Sequence, residues 1–157
     1  MAGRIDARLR QLGITLAAAP PPAANYVPFV VSGALVFIAG QVPFDGKGLP
    51  YRGKLGGGVS IEEGQAAARL CALNILAQLK AACGGDLDRV RACVKLGGFV
   101  NATPDFPDHP KVMNGASDLM VEVFGEAGRH ARFAVGAPSL PFDVAVEVDA
   151  VFEIGPG

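Results

Sequence analysis

Near the C-terminal end, in ARFAVGAPSLPFDVAVEVDAVFEI, an arginine at 132 and a glutamate at 147 stand on otherwise apolar segments that flank a Pro-x-x-Pro turn. A charge on a strand that otherwise reads as core costs stability unless it is paired or has chemical work to do. Alternation puts Arg132, Ala134 and Gly136 on one strand face, so the guanidinium has small neighbours with space over them. Its planar fork donates two parallel hydrogen bonds and keeps its charge at any relevant pH, which makes a small carboxylate its natural guest. The alternative is a surface strand arginine, or one in an ion pair with Glu147, Asp149 or a neighbouring subunit. In the last strand Glu147 and Asp149 share the face opposite Val146, Val148 and Phe152, so Glu147 points away from the more uniformly apolar side.

Other reactive side chains form no recognisable constellation. Cys71, Cys83 and Cys93 are odd in number, lack CxxC spacing and have only His109 and His130 as companions, which argues against a disulfide framework or a metal site. Cys71 reads as packed in a helix, Cys93 as packed in a strand, and His130 as an exposed polar residue beside the arginine strand. The glycine-rich stretch 44–58 lacks the GxxxxGK[ST] order that would cradle phosphate.

The 157 residues are one domain's worth of chain, and a hydrophobic fraction of 50% is enough for a sizeable core. With 14 basic against 15 acidic side chains, the chain generates no field that would attract nucleic acid or an anionic membrane. Charges interrupt the first residues, and no apolar run approaches the roughly 18 residues of a membrane span, so a cytoplasmic protein is expected.

The elements that must position Arg132 and Glu147 follow from periodicity. Ile5, Leu9 and Leu12 predict a short N-terminal helix stopped by Gly13, and residues 1–16 are set apart as a helical extension to a single domain at 17–157. The prolines in 17–25 predict an extended linker. Residues 28–42 read as a hairpin turning at Ser32-Gly33, and 44–58 as a β-turn, a short strand and a mobile loop. Ser60 and Glu63 form a capping-box pattern that opens a long helix ended by Gly84-Gly85. A strand at 90–102 carries Gly97-Gly98, which predicts a bulge or a close backbone approach. A second amphipathic helix spans 111–124, and strands follow at 131–137 and 143–154. The order predicts an α+β fold, one sheet covered on one face by two helices. Taken locally, the turn across PSLP pairs the last two strands as a hairpin and sets Arg132 opposite Glu147.

The block ARxxVxxxxLPxDVxVEVDA resembles the hallmark region of the Rid family, the YjgF-like reactive-intermediate deaminases long labelled L-PSP endoribonucleases, and the resemblance covers residues 20–154. Arg132 matches the family's carboxylate-binding arginine and Glu147 the glutamate that positions an attacking water. Tyr26 matches a site tyrosine, Gly40 stands in the family's SGQ motif as AGQ, and Asn114 matches an asparagine of the second helix. The resemblance implies a chorismate-mutase-like single mixed sheet and a homotrimer with three sites between subunits. It also implies that the last two strands are separated in the sheet.

It further implies hydrolysis of 2-imino acids or their enamine tautomers to 2-oxo acids and ammonia without metal or cofactor. In that chemistry Glu147 and Tyr26 are catalytic, and Arg132, Ala134, Asn114 and Gly40 bind substrate. Other readings are interface packing for Tyr26 and backbone capping for Asn114. The chain departs from the best-studied deaminases at Ala134, where they carry cysteine, and at Ala39, where serine or threonine is common. It also adds the N-terminal helix, the long 44–58 loop and about one residue between Asn114 and Arg132, the marks of a divergent branch. The alternative function is a trimer that binds small carboxylates without turning them over. A ribonuclease ranks below both, because no basic stripe or paired histidines accompany the label.

Overall fold

In the computed structural model, which describes residues 3–19 and 24–157, the chain runs through eight principal elements. They are α1 (Arg4–Gln11), β1 (Phe29–Ser32), β2 (Leu35–Gln41), α2 (Ile61–Ala82), β3 (Val90–Asn101), α3 (His109–Phe124), β4 (Ala131–Ala137) and β5 (Val146–Ile154). Local chemistry sets several boundaries. The Ser60 side chain accepts from the Glu63 amide while Glu63 caps Ser60, and Gly84 and Gly85 follow α2 at φ 65° and 95°, where a side chain would be strained. Gly33, at φ 61°, begins the two-residue loop that pairs β1 with β2. The Pro20–Pro22 run of the expected linker lies outside the described residues.

One five-stranded sheet has the order β1-β2-β5-β3-β4. All neighbours are antiparallel except β3 and β4, which run parallel with α3 as their crossover. The hairpin across PSLP therefore does not form. β3 lies between β4 and β5, so Arg132 stands opposite Leu96 and Glu147 opposite Phe99. The connection instead makes a tight turn at Pro141–Asp143, with Phe142 and Asp143 at φ 59° and 61°, which shortens the expected strand to begin at Val146. Asn101, completely buried at the end of β3, holds this turn: its Nδ2 donates to Asp143 Oδ1 at 3.2 Å and to the Val144 carbonyl at 3.1 Å. Buried hydrogen bonds of this kind keep two left-handed residues in place.

The expected strand within 44–58 reduces to isolated bridges at Arg52 and Leu55. Leu55 is completely buried and Lys54 Nζ donates to Asn101 Oδ1 at 2.8 Å, so this part of the loop is pinned to the core rather than mobile. The Gly97-Gly98 pair marks close approach and not a bulge. Asp149 and Phe133 crowd the space a Gly97 side chain would need, Met113 fills it at Gly98, and the register shifts of β3 lie earlier, between Val90 and Lys95.

The helices α2 and α3 cover one sheet face and bury Ile75, Leu76, Leu96, Met113 and Phe152 between them and the strands. Ile5 and Leu9 of α1 join the same core. Asp88 caps α1 from a distance, its two carboxylate oxygens accepting from the Arg4 and Ile5 amides at 2.9 and 2.8 Å. Those amide bonds favour the charged carboxylate and hold its pKa below the usual 3.8. Asp88→Ala is expected to lower stability by about 1 kcal/mol in chemical denaturation. The wild-type advantage should be full above pH 4 and vanish as the pH falls through the depressed pKa, because only the ionised group caps.

Among the described residues, no helix covers the other sheet face. Val30, Phe37, Phe99 and Val135 on it are 42–52% exposed, and Glu147 stands among them.

Candidate functional site

The parallel pairing of β4 with β3 puts Arg132 on the helix-covered side of an edge strand, beneath α3. Asn114 and Ser117 are three residues apart and present one helix face to it. Arg132 Nη1 donates to Asn114 Oδ1 at 3.0 Å and to Ser117 Oγ at 3.1 Å, and Nη2 to the Pro110 carbonyl at 3.4 Å. All three acceptors are neutral. The ion pairs among the described residues are Arg69–Glu122, Lys80–Asp6, Lys111–Asp108 and Arg129–Glu126, so the pairings of Arg132 with Glu147 or Asp149 that the sequence left open are not made within the chain. A guanidinium fixed by neutral acceptors keeps its full charge for an anion. Ala134, two residues on, packs against the core, and the space over Gly136 is taken by His109.

His130 differs from its expected role as an exposed residue. It is half-buried, with Nε2 2.8 Å from Ser117 Oγ and Nδ1 2.6 Å from the Gly128 carbonyl. Sequence reasoning passed over Ser117 altogether; the signal that could have found it is its position three residues after Asn114.

Glu147, Gly40 and Tyr26 belong to a different region. β2 and β5 lose register between Ile38 and Gln41, and this irregularity lifts Ala39 and Gly40 over the β5 residues beside them. Gly40 lies so close to the Glu147 carboxylate that an added Cβ would collide with Oε2, so the glycine is the space in which the acid sits. Burial, and secondarily the nearby Asp149 charge, push the Glu147 pKa above the usual 4.5. Gly40→Ala is expected to displace the carboxylate and cut any Glu147-dependent rate about tenfold or more, with the fold kept, as steady-state kinetics and circular dichroism together would show.

Tyr26 is 57% exposed and lines, with Gly40, Asn74 and Gln78, a cavity of about 470 Å³ bounded by 15–18, the end of β2 and α2. Gln78 is 2% exposed and its Oε1 has no hydrogen-bond partner among the described residues. Arg132 does not border this cavity.

The six sequence-derived residues thus fall into two groups, Arg132, Asn114 and Ala134 in one, Tyr26, Gly40 and Glu147 in the other. Two strand spacings and three residue steps separate the α-carbons of Arg132 and Glu147 by roughly 14 Å. They also project from opposite faces, since Arg132 is level with fully buried Leu96 and Glu147 with exposed Phe99. Cys71, Cys83 and Cys93 are buried and form no disulfide; burial raises all three thiol pKa values, that of Cys93 to about 12, which disfavours the reactive thiolate. Among the described residues, no group of three or more His, Cys, Asp and Glu side chains is placed to hold a metal ion, and no helix is long and apolar enough to cross a membrane.

Residues 6–154 match a family model described as "YjgF/chorismate mutase-like, putative endoribonuclease". Protein TCP17 of Trypanosoma cruzi is 53% identical over 97% of this chain and 95% of its own length. The crystal structure of the protein Atu1372 from Agrobacterium tumefaciens, of unknown function, is 50% identical with a TM-score of 0.89, covering 96% of this chain and 92% of that one. A Shewanella oneidensis structure that also carries the endoribonuclease description is 38% identical with a TM-score of 0.91, covering 97% of this chain and 100% of that one.

Proposed function

Since the chain belongs to the YjgF/chorismate-mutase-like family, we propose that it is a cofactor-independent hydrolase of small 2-imino acids or their enamine tautomers, releasing a 2-oxo acid and ammonia. The observation that carries this reading is Arg132, a fixed cation whose partners within the chain are all neutral. A carboxylate held on its free N–H groups fixes the adjacent C=N carbon for attack. Water adds to that carbon, the nitrogen takes up protons, and the resulting carbinolamine breaks its C–N bond to expel ammonia. An imine is already electrophilic, so the protein's task is to place the water and manage its protons.

Glu147 is the base, and its raised pKa suits a carboxylate that must gain and return a proton. Tyr26, which lines the same cavity as Gly40, supplies a hydroxyl to the water or the imine nitrogen, and the backbone at Ala134 orients the imine. Because Arg132 and Glu147 diverge within one chain, the site is complete only when Glu147 comes from a second copy. The half-exposed Val30, Phe37, Phe99 and Val135 on the open sheet face support such an assembly, and a homotrimer is the form proposed.

One observation favours a second reading, a carboxylate-binding trimer without turnover: within one chain Arg132 and Glu147 lie on opposite sheet faces and do not meet. The endoribonuclease of the family description has less support, since the charges nearly balance and both nitrogens of His130 are engaged. The test is to generate 2-iminopropanoate from alanine with an amino-acid oxidase and follow imine loss with and without the protein, with an RNA substrate in parallel. Accelerated loss is expected. Unchanged decay alongside saturable pyruvate binding would move the assignment to the binding reading, and RNA cleavage that survives repurification would overturn both.

A further inference from the structure

The hydrogen bonds behind Arg132 have a direction that can be read from donor chemistry. The Gly128 carbonyl can only accept, so the 2.6 Å contact places a proton on His130 Nδ1. In the neutral ring Nε2 is then bare and accepts from the Ser117 hydroxyl 2.8 Å away. With its hydrogen committed to His130, Ser117 Oγ offers a lone pair to Arg132 Nη1 at 3.1 Å. The anchor of the chain is rigid. Gly128 is buried against the end of α3, and the backbone at Met120 and Val121 leaves no room there for a side chain.

We propose that Ser117 and His130 are positioning residues for Arg132, which fix the guanidinium so that its Nε–H and one Nη2–H remain as the pair that receives a carboxylate. This rests on the reading of Arg132 as a carboxylate site and adds the device that aims it. Asn114 Oδ1 and Ser117 Oγ take up Nη1, and the Pro110 carbonyl takes one hydrogen of Nη2. The remaining donors have no partner among the described residues. Without Ser117, Nη1 loses one of its two acceptors and the fork can rotate about its last side-chain bonds. Without His130, the serine hydroxyl can turn its hydrogen toward Arg132 and cease to accept. Aiming by a serine and a histidine also makes geometric sense on an edge strand, where no second neighbouring strand flanks the arginine.

The test uses the full chain and pyruvate, the unreactive product acid, measured by calorimetry with wild type, Ser117→Ala, Ser117→Thr, His130→Ala and Arg132→Ala. Ser117→Ala is expected to weaken pyruvate binding about tenfold, the value of one charge-assisted hydrogen bond, while Ser117→Thr restores binding to within about threefold. In the Arg132→Ala background, Ser117→Ala should weaken what remains no further, because its effect passes through the arginine. Circular dichroism identifies any variant that fails to fold, and Ser117→Thr serves as the folded control. Nitrogen NMR of wild type should show Nδ1 of His130 as the protonated nitrogen and Nε2 as the bare one.

A protonated Nε2 with bare Nδ1, a Ser117→Ala protein that binds pyruvate like wild type, or a Ser117 effect that persists without Arg132 would each overturn the proposal. So would a loss confined to kcat, which would mark Ser117 as a group on the reacting atoms. Pyruvate binding with the expected pattern but no imine hydrolysis would leave this assignment standing and remove the deaminase reading. Failure of wild type to bind pyruvate would remove the carboxylate site and this device with it.

Discussion

Arg132→Ala is expected to lower kcat/KM for 2-iminopropanoate by about 100- to 1,000-fold, with stability nearly unchanged. Two charge-assisted hydrogen bonds to a carboxylate account for roughly 3–4 kcal/mol of binding in the transition state, which sets that range. The loss should appear in KM as well as kcat, because the same bonds hold the ground state and fix the reacting carbon. Arg132→Lys separates charge from geometry: a lysine keeps the cation but cannot form the fork, and about a tenfold or greater loss is expected to remain. The fold should tolerate both changes, since Arg132 lies on an edge strand and its acceptors reach water when released. Equal kcat/KM in wild type and Arg132→Ala, with both proteins folded, would remove the central claim.

Glu147→Gln has the opposite signature. It keeps size and removes the base, so kcat should fall by about 100- to 10,000-fold with little change in KM. Stability should move the other way. Burial raises the Glu147 pKa in the folded protein, so the folded state binds its proton more tightly than the unfolded state does. Between the ordinary value of 4.5 and the raised one, stability therefore declines as pH rises, and the ionised acid remains a cost above that window. Glu147→Gln should accordingly have a higher Tm than wild type at pH 7, and the advantage should fade on acidification through the raised pKa toward pH 4. A variant that is less stable at pH 7 would show that Glu147 is compensated by a partner cation, and the base assignment would fall with it.

Combining the two substitutions tests assembly. Arg132→Ala and Glu147→Gln protomers are each inactive, but random co-assembly in a trimer pairs an intact arginine with an intact glutamate in about one site of four. Co-expressed variants should therefore recover roughly a quarter of wild-type activity. Recovery of nothing from a properly mixed trimer would place both groups in one subunit's site.

Much of this was legible before the fold. The capping box at Ser60, the Gly33 turn and the apolar alternation of β5 are local, because each depends on neighbours within a few residues and on backbone sterics. Arg132 and Glu147 stood out as charges on otherwise apolar strands, and the block that carries them resembles the family, which in turn implied Tyr26 and Gly40 as site residues. The same local logic misled at PSLP, where two strands joined by a tight turn favour a hairpin. The stronger term there is non-local: α3 carries β4 to the far side of β3, and buried Asn101 holds the crossing.

Alone, then, the sequence marked most of the helices and strands, though not the loss of the expected strand within 44–58, and marked Arg132 as equipped to hold a carboxylate, while the water chemistry of Glu147 rests on the family resemblance. The resemblance implied that the last two strands are apart; only the tertiary structure identified β3 as the strand between them and decided that Gly40 makes room for an acid and that Ser117 and His130 lie behind Arg132. The physical reason is that strand order and cross-element hydrogen bonds depend on packing between residues far apart in the chain, which no local pattern encodes.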